Sequence, residues 1–132
     1  MILSYLWVGI GGAVGSMLRY WLSGLIAGTR TGEIFPLGTM VINITGSFVI
    51  GMLGSITQPE ARLDPHWRTL ATQLLMVGLC GGYTTFSSFS LQTLNLARDG
   101  QWLYAGLNIV LSVVLCLVGV WLGFAIGQIY NR

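Results

Sequence analysis

The stretch Gly78-Leu79-Cys80-Gly81-Gly82-Tyr83-Thr84-Thr85-Phe86-Ser87-Ser88-Phe89-Ser90 gathers the groups in this chain best suited to meeting an ion. It sits at the middle of an uncharged run longer than one membrane crossing needs. Paired glycines followed by β-branched threonines are poor helix material. A helix broken here at membrane depth frees carbonyls that protein, water or an ion must satisfy, and broken helices at the midplane often mark ion sites. A glycine-rich crossing built for close packing uses the same residues without an ion. Phe86 and Phe89 are three apart and share a helical face. Two phenylalanines in such a helix ordinarily face lipid or core, but Ser87, Ser88 and Ser90 beside them would be wasted against lipid.

Two further polar stripes recur every four residues. Thr39, Asn43 and Ser47 form one, and Tyr104, Asn108 and Ser112 the other. An asparagine at bilayer depth is costly unless it has a partner or faces water. Each stripe is therefore either interhelical glue or a pore lining. The long apolar runs contain no acidic residue, and Gln73 and Gln92 are the nearest substitutes. Donors without a buried carboxylate suit an anion better than a cation. His66 is the single histidine and lies in a loop, with no nucleophile–base pair around it, so catalysis is not expected. Cys80 and Cys116 match no metal spacing and read as small apolar side chains.

The elements that must position these groups follow from composition. Of 132 residues, 54% are hydrophobic and 8% charged, with a mean hydropathy of +0.75. A soluble domain carries about 25% charged residues, so there is too little charge here to cover a water-facing surface. A soluble alternative needs a core of helices apolar all round, which so short a chain cannot enclose. The charges are Arg19, Arg30, Glu33, Glu60, Arg62, Asp64, Arg68, Arg98, Asp99 and Arg132, mostly in short clusters. Between them lie four spans, about 2–25, 36–56, 68–97 and 102–130, in one domain over 1–132. Asp64-Pro65 and Arg98-Asp99-Gly100 are turn signals. Trp7, Trp21, Trp67, Trp102 and Tyr130 lie near span ends, where amphipathic rings settle at headgroups. The start, MILSYLWVGIGG, lacks the positive region of a cleaved leader and is expected to belong to the first span.

Four crossings put both termini on one side. Arg62, Arg68 and Arg132 fall on that side, and Arg19, Arg30 and Arg98 on the other. A balanced count leaves insertion direction unfixed, which is what insertion in both orientations requires. Four helices make a meagre pore alone, so an oligomer is expected. Small residues at four-residue spacing, in the rows Gly11/Gly15, Ser47/Gly51/Ser55 and Gly119/Gly123/Gly127, let backbones approach closely in lipid.

Taken together, these residues resemble the small fluoride channels called Fluc or CrcB, across essentially the whole chain. The resemblance rests on Gly11-Gly12 and Gly15 leading to Arg19, on Gly38-Thr39 with Asn43, and most of all on the run from Gly81 to Ser90. It implies an all-α membrane protein of four helices with the third broken at the midplane, assembled as a dual-topology antiparallel homodimer in the inner membrane. Two fluoride pores per dimer, exporting fluoride passively, are implied as well. So is a structural sodium ion on the dimer axis, held by the Gly81 and Thr84 carbonyls of both subunits. By position, Phe86 and Phe89 match rings whose edges face fluoride, and Asn43 the pore asparagine. Tyr104, Asn108 and Ser112 match a polar track, Arg19 a vestibule arginine, with Thr39 and Ser88 lining the path. Two departures stand out: Gln92 occupies a position that is often Glu, and Asn108 one that is often Ser.

Two other functions use the same composition. A small proton-coupled drug exporter needs a membrane-buried carboxylate, which is missing here. A non-transporting scaffold would use the polar stripes only to glue helices.

Overall fold

Long apolar runs in a bilayer satisfy their backbone only within themselves, and helices do that. The computed structural model describes residues 2–28 and 34–132, so Arg30 and Glu33 of the charge tally lie outside the described residues. The described residues form α1 (Ile2–Gly28), α2 (Leu37–Ile56), α3 (Pro65–Leu70), a π-helical segment (Ala71–Cys80), α4 (Gly81–Tyr83), α5 (Phe86–Arg98) and α6 (Trp102–Tyr130), with no strand among them. Four stretches are long and apolar enough to cross a membrane: Ile2–Ala27, Leu37–Ile56, Pro65–Arg98 and Trp102–Tyr130. The protein is a multi-pass membrane protein, its spans close to those expected from sequence.

The third span begins at Pro65, ahead of the expected Arg68, for a local reason. Asp64 caps it, its Oδ1 accepting from the His66 N–H at 2.8 Å, and Pro65 occupies the first turn, where its missing N–H costs nothing. The span then changes winding over Ala71–Cys80. No side-chain pattern in that segment signals the π-helix, a form usually confined to single turns.

Close backbone contact organises the bundle. α2 packs along α6, α1 along the π-helical segment and α4, and α5 against α6. A Cβ added at Gly82 would lie 2.5 Å from the Gly12 carbonyl oxygen, and one at Gly11 2.8 Å from the Leu79 nitrogen. At Gly123 an added Cβ would collide with the Phe48 carbonyl. The small-residue rows are thus surfaces of backbone contact, where dispersion holds helices together without help from water. Ile42, Ser55, Cys80 and Asn108 are fully buried. Large apolar side chains such as Tyr5, Leu103 and Trp121 face outward, which lipid accepts and water would not.

The break in the third span falls at Thr84 (φ −79°, ψ 158°) and Thr85 (φ −152°, ψ 112°), near the middle of Pro65–Arg98. The paired glycines before it stay helical, with Gly81 at φ −64° and ψ −38°. Gly82 lies against the Gly12 backbone of α1. The interruption itself is taken by the β-branched threonines, whose stiff χ1 suits extended backbone.

Candidate functional site

Several polar side chains gather around the break. Thr84 makes the last helical bond, its N–H donating to the Cys80 carbonyl at 2.9 Å, and its hydroxyl donates to the same oxygen at 2.8 Å. Thr85 has no helical partner. Its N–H donates to Asn43 Oδ1 at 2.8 Å, and its carbonyl accepts from Asn43 Nδ2 at 3.0 Å. One primary amide therefore satisfies both polar groups of an extended residue, as a neighbouring strand would.

The Thr85 side chain then starts α5. Its Oγ1 accepts from the Ser88 N–H at 3.2 Å and donates to Ser88 Oγ at 3.0 Å, which is N-capping. Ser87 Oγ stands 3.2 Å away. Ser88 Oγ, accepting from Thr85, keeps its own proton to donate. Ser90 turns inward on its own helix, donating to the Phe86 carbonyl at 2.9 Å.

Two cavities meet at this point. One, of about 560 Å³, is lined by Ser16, Arg19, Tyr20, Ser23, Thr39, Thr85, Ser88 and Gln92 among others. The second, of about 350 Å³, is lined by Asn43, Ser47, Cys80, Thr84, Thr85, Phe86, Phe89, Ser112 and Cys116 with apolar neighbours. Thr85 is in both walls and is only 8% exposed. The first cavity holds one positive charge and several hydroxyls. Gln92 contributes an Oε1 that is buried without a hydrogen-bond partner. The second is an apolar groove edged by donors. Its Phe86 and Phe89 rings stand 5.3 Å apart, tilted by 48°, and Phe86 is 78% exposed.

The residues singled out from sequence fall into three groups. Arg19, Thr39, Ser88 and Gln92 share the first cavity. Asn43, Phe86, Phe89 and Ser112 share the second. Tyr104 and Asn108 line neither. Asn108 is fully buried, donating to Thr93 Oγ1 at 2.8 Å and accepting from Ser112 Oγ at 3.3 Å, while Tyr104 packs its ring 6.1 Å from that of Phe35. Sequence reasoning missed Thr85, the residue common to both cavities. Its place between the glycine pair and Phe86 was visible, but the hydrogen-bond partners that make it the hinge lie far away in sequence.

The break also sets two carbonyls apart. In an unbroken helix the Thr85 N–H would reach the Gly81 oxygen and the Ser88 N–H the Thr84 oxygen. Here the first goes to Asn43 and the second to the Thr85 side chain. Gly81 and Thr84 are thereby deprived of their helical donors. Among the described residues no group of three His, Cys, Asp or Glu could hold a metal. The acidic residues described, Glu60, Asp64 and Asp99, all lie outside the helices.

The sequence is similar to those of known proteins. The model of the family described as CrcB-like protein, Camphor Resistance (CrcB), matches residues 6–124. A protein of Rhodospirillum rubrum named fluoride-specific ion channel FluC is 62% identical, the match covering 98% of each chain. Proteins of the same name from Methylocella silvestris and Opitutus terrae are 52% identical over 98% of this chain and 97% of theirs, and 55% identical over 90% and 88%. These relatives are named as channels, not as enzymes. With four spans, a mid-span break and a family match running from the first helix into the last, the chain is a member of the CrcB family.

Proposed function

We propose that this chain forms a passive, fluoride-selective channel, working as a dual-topology antiparallel homodimer in the inner membrane, with two pores and a structural sodium ion between the copies. The observation that carries the reading is the near full-length similarity to proteins named fluoride-specific ion channels, joined to a donor-rich, carboxylate-free site. The balance of arginines on the two sides supports insertion in both orientations.

Fluoride is small, hard and strongly hydrated, so a pore must replace its water donor by donor. Arg19 in the wider cavity draws the anion in. Ser88 has a hydroxyl proton to offer, and Asn43 retains one amide N–H beyond the one given to Thr85. The Phe86 and Phe89 ring edges carry the positive part of the aromatic quadrupole. No full charge lines the groove that holds them, and conduction requires that the ion can leave. A cytoplasm at about −100 mV pushes a monovalent anion outward by roughly 2.3 kcal/mol, so export needs no pump. Weak-acid HF enters uncharged and dissociates inside, which supplies the ion to be exported.

The residues at the break fit a hard monovalent cation. The Gly81 and Thr84 carbonyls, deprived of helical donors, would hold sodium together with the same pair from a second copy. Bound there, the ion offsets carbonyl charge that lipid cannot satisfy.

The test is efflux from liposomes holding the purified protein, read with a fluoride electrode, with chloride-loaded vesicles as control. Rapid fluoride release without chloride release is expected. Well-folded protein that releases neither ion would sink the proposal.

A further inference from the structure

We propose that Asn43 acts as a positioning residue, a strut that holds the third span open at Thr85 and thereby keeps the Gly81 carbonyl available to a cation. The inference rests on the sodium reading above, and it gives Asn43 a task apart from any donation to fluoride. Four helical bonds would cross the break if the span were continuous, the first from Thr85 N–H to the Gly81 oxygen. Asn43 Oδ1 takes that N–H at 2.8 Å, and its Nδ2 holds the Thr85 carbonyl at 3.0 Å. A primary amide side chain supplies a donor and an acceptor at the spacing of a peptide, and the acceptor is the half that keeps the Thr85 N–H from the Gly81 oxygen.

The register of α2 against the break is fixed on both sides of Asn43. Ile42 is fully buried, and a Cβ added at Gly46 would lie 3.1 Å from the Tyr83 ring while striking the Thr84 methyl. The amide therefore cannot slide away from Thr85. Asn108, the other asparagine in the polar stripes, bonds only side chains and holds no backbone. Without the Asn43 acceptor, the Thr85 N–H has the Gly81 oxygen as its natural partner, and that oxygen ceases to be a free ligand.

Thermal unfolding of the purified full chain, in sodium chloride against N-methylglucamine chloride, tests this. Anything that binds only the folded state raises its melting temperature. The wild type should melt higher in sodium. Asn43→Leu should melt equally in both salts, while Asn43→Asp, which keeps an acceptor for the Thr85 N–H, should retain most of the sodium shift. Phe86→Ile, next in sequence but with a side chain that is exposed in the groove and takes no part in either bond, should retain all of it. A merely structural role for Asn43 would lower both melting points and leave their difference intact, and that result in Asn43→Leu would overturn the strut. If the leucine variant does not fold, Asn43→Ser, too short to reach Thr85, takes its place with the same two outcomes. A flat response in Asn43→Asp also overturns it. A wild type indifferent to sodium would remove the cation reading itself, and the strut with it.

Discussion

Replacing Phe86 or Phe89 by isoleucine isolates the ring from the bulk of the side chain. Phe86 is 78% exposed and its ring meets Phe89 at 5.3 Å, so the change removes one aromatic contact worth about 0.5–1.5 kcal/mol. A hydrophobic swap of similar volume costs under about 1.5 kcal/mol, and the fold should survive either variant. The effect on the ion is separate. The quadrupole that attracts a cation to a ring face by about 0.5–2 kcal/mol acts with the opposite sign at the edge. Losing one edge at a desolvated point should raise the barrier by about 1 kcal/mol, roughly fivefold in rate since 1.36 kcal/mol is tenfold. The assay is initial fluoride efflux from liposomes at matched protein density, with unfolding of each variant measured in parallel. Unchanged flux in both folded variants would refute the role given to the ring edges, and loss of folding in both would mean the rings are core and not lining.

Three other substitutions probe neighbouring parts of the structure. Gly82→Val should destabilise the protein by more than the ~1–3 kcal/mol typical of overpacking, because the added Cβ meets Gly12 backbone at 2.5 Å; denaturation in detergent measures it. Asn108→Leu strands the Ser112 hydroxyl and removes the donor to Thr93 Oγ1, whose own proton stays on the Phe89 carbonyl, and should cost about 1–3 kcal/mol. Since Asn108 lines neither cavity, flux per folded channel should change less than in Phe89→Ile. Gln92→Glu puts a titratable group in the cavity that holds Arg19. Its charged form opposes an anion, so efflux should be slower at about pH 8 than at about pH 4, on either side of the ordinary glutamate value of about 4.3, while wild-type flux shows no such step from this position.

Hydropathy and turn chemistry marked all four spans, because the cost of a charge in lipid is paid residue by residue and leaves a trace in the order of side chains. Arg98-Asp99-Gly100 marks the end of the third span, whereas its start lies at Pro65, ahead of the expected Arg68. Less could be read where geometry depends on two helices at once. Gly81 and Gly82 suggested a break, since glycine is a poor helix former. Both stay helical, Gly82 in close contact with Gly12, and the interruption falls at Thr84 and Thr85. The π-helical winding of Ala71–Cys80 leaves no mark in residue type, and no periodicity predicts it.

Asn43 shows why residue type alone left the site's internal logic open. Its four-residue stripe with Thr39 and Ser47 marks the face, and burying an amide marks the need for a partner. Neither says whether that partner is an ion or a backbone. The answer depends on Thr85, whose extended backbone is met by an amide on another helix that accepts and donates at the right spacing. One interaction then has consequences on three sides. It ends the helix, frees the Gly81 carbonyl, and sets the Thr85 hydroxyl where it caps α5 and enters the walls of both cavities. Ser88 and the Phe86–Phe89 pair follow from that cap, since α5 starts at Phe86. The donor side chains proposed to meet the anion, and the carbonyls proposed to meet the cation, are thus positioned by the same two hydrogen bonds, so a change at Asn43 should disturb both ions while a change at Phe86 disturbs only the anion.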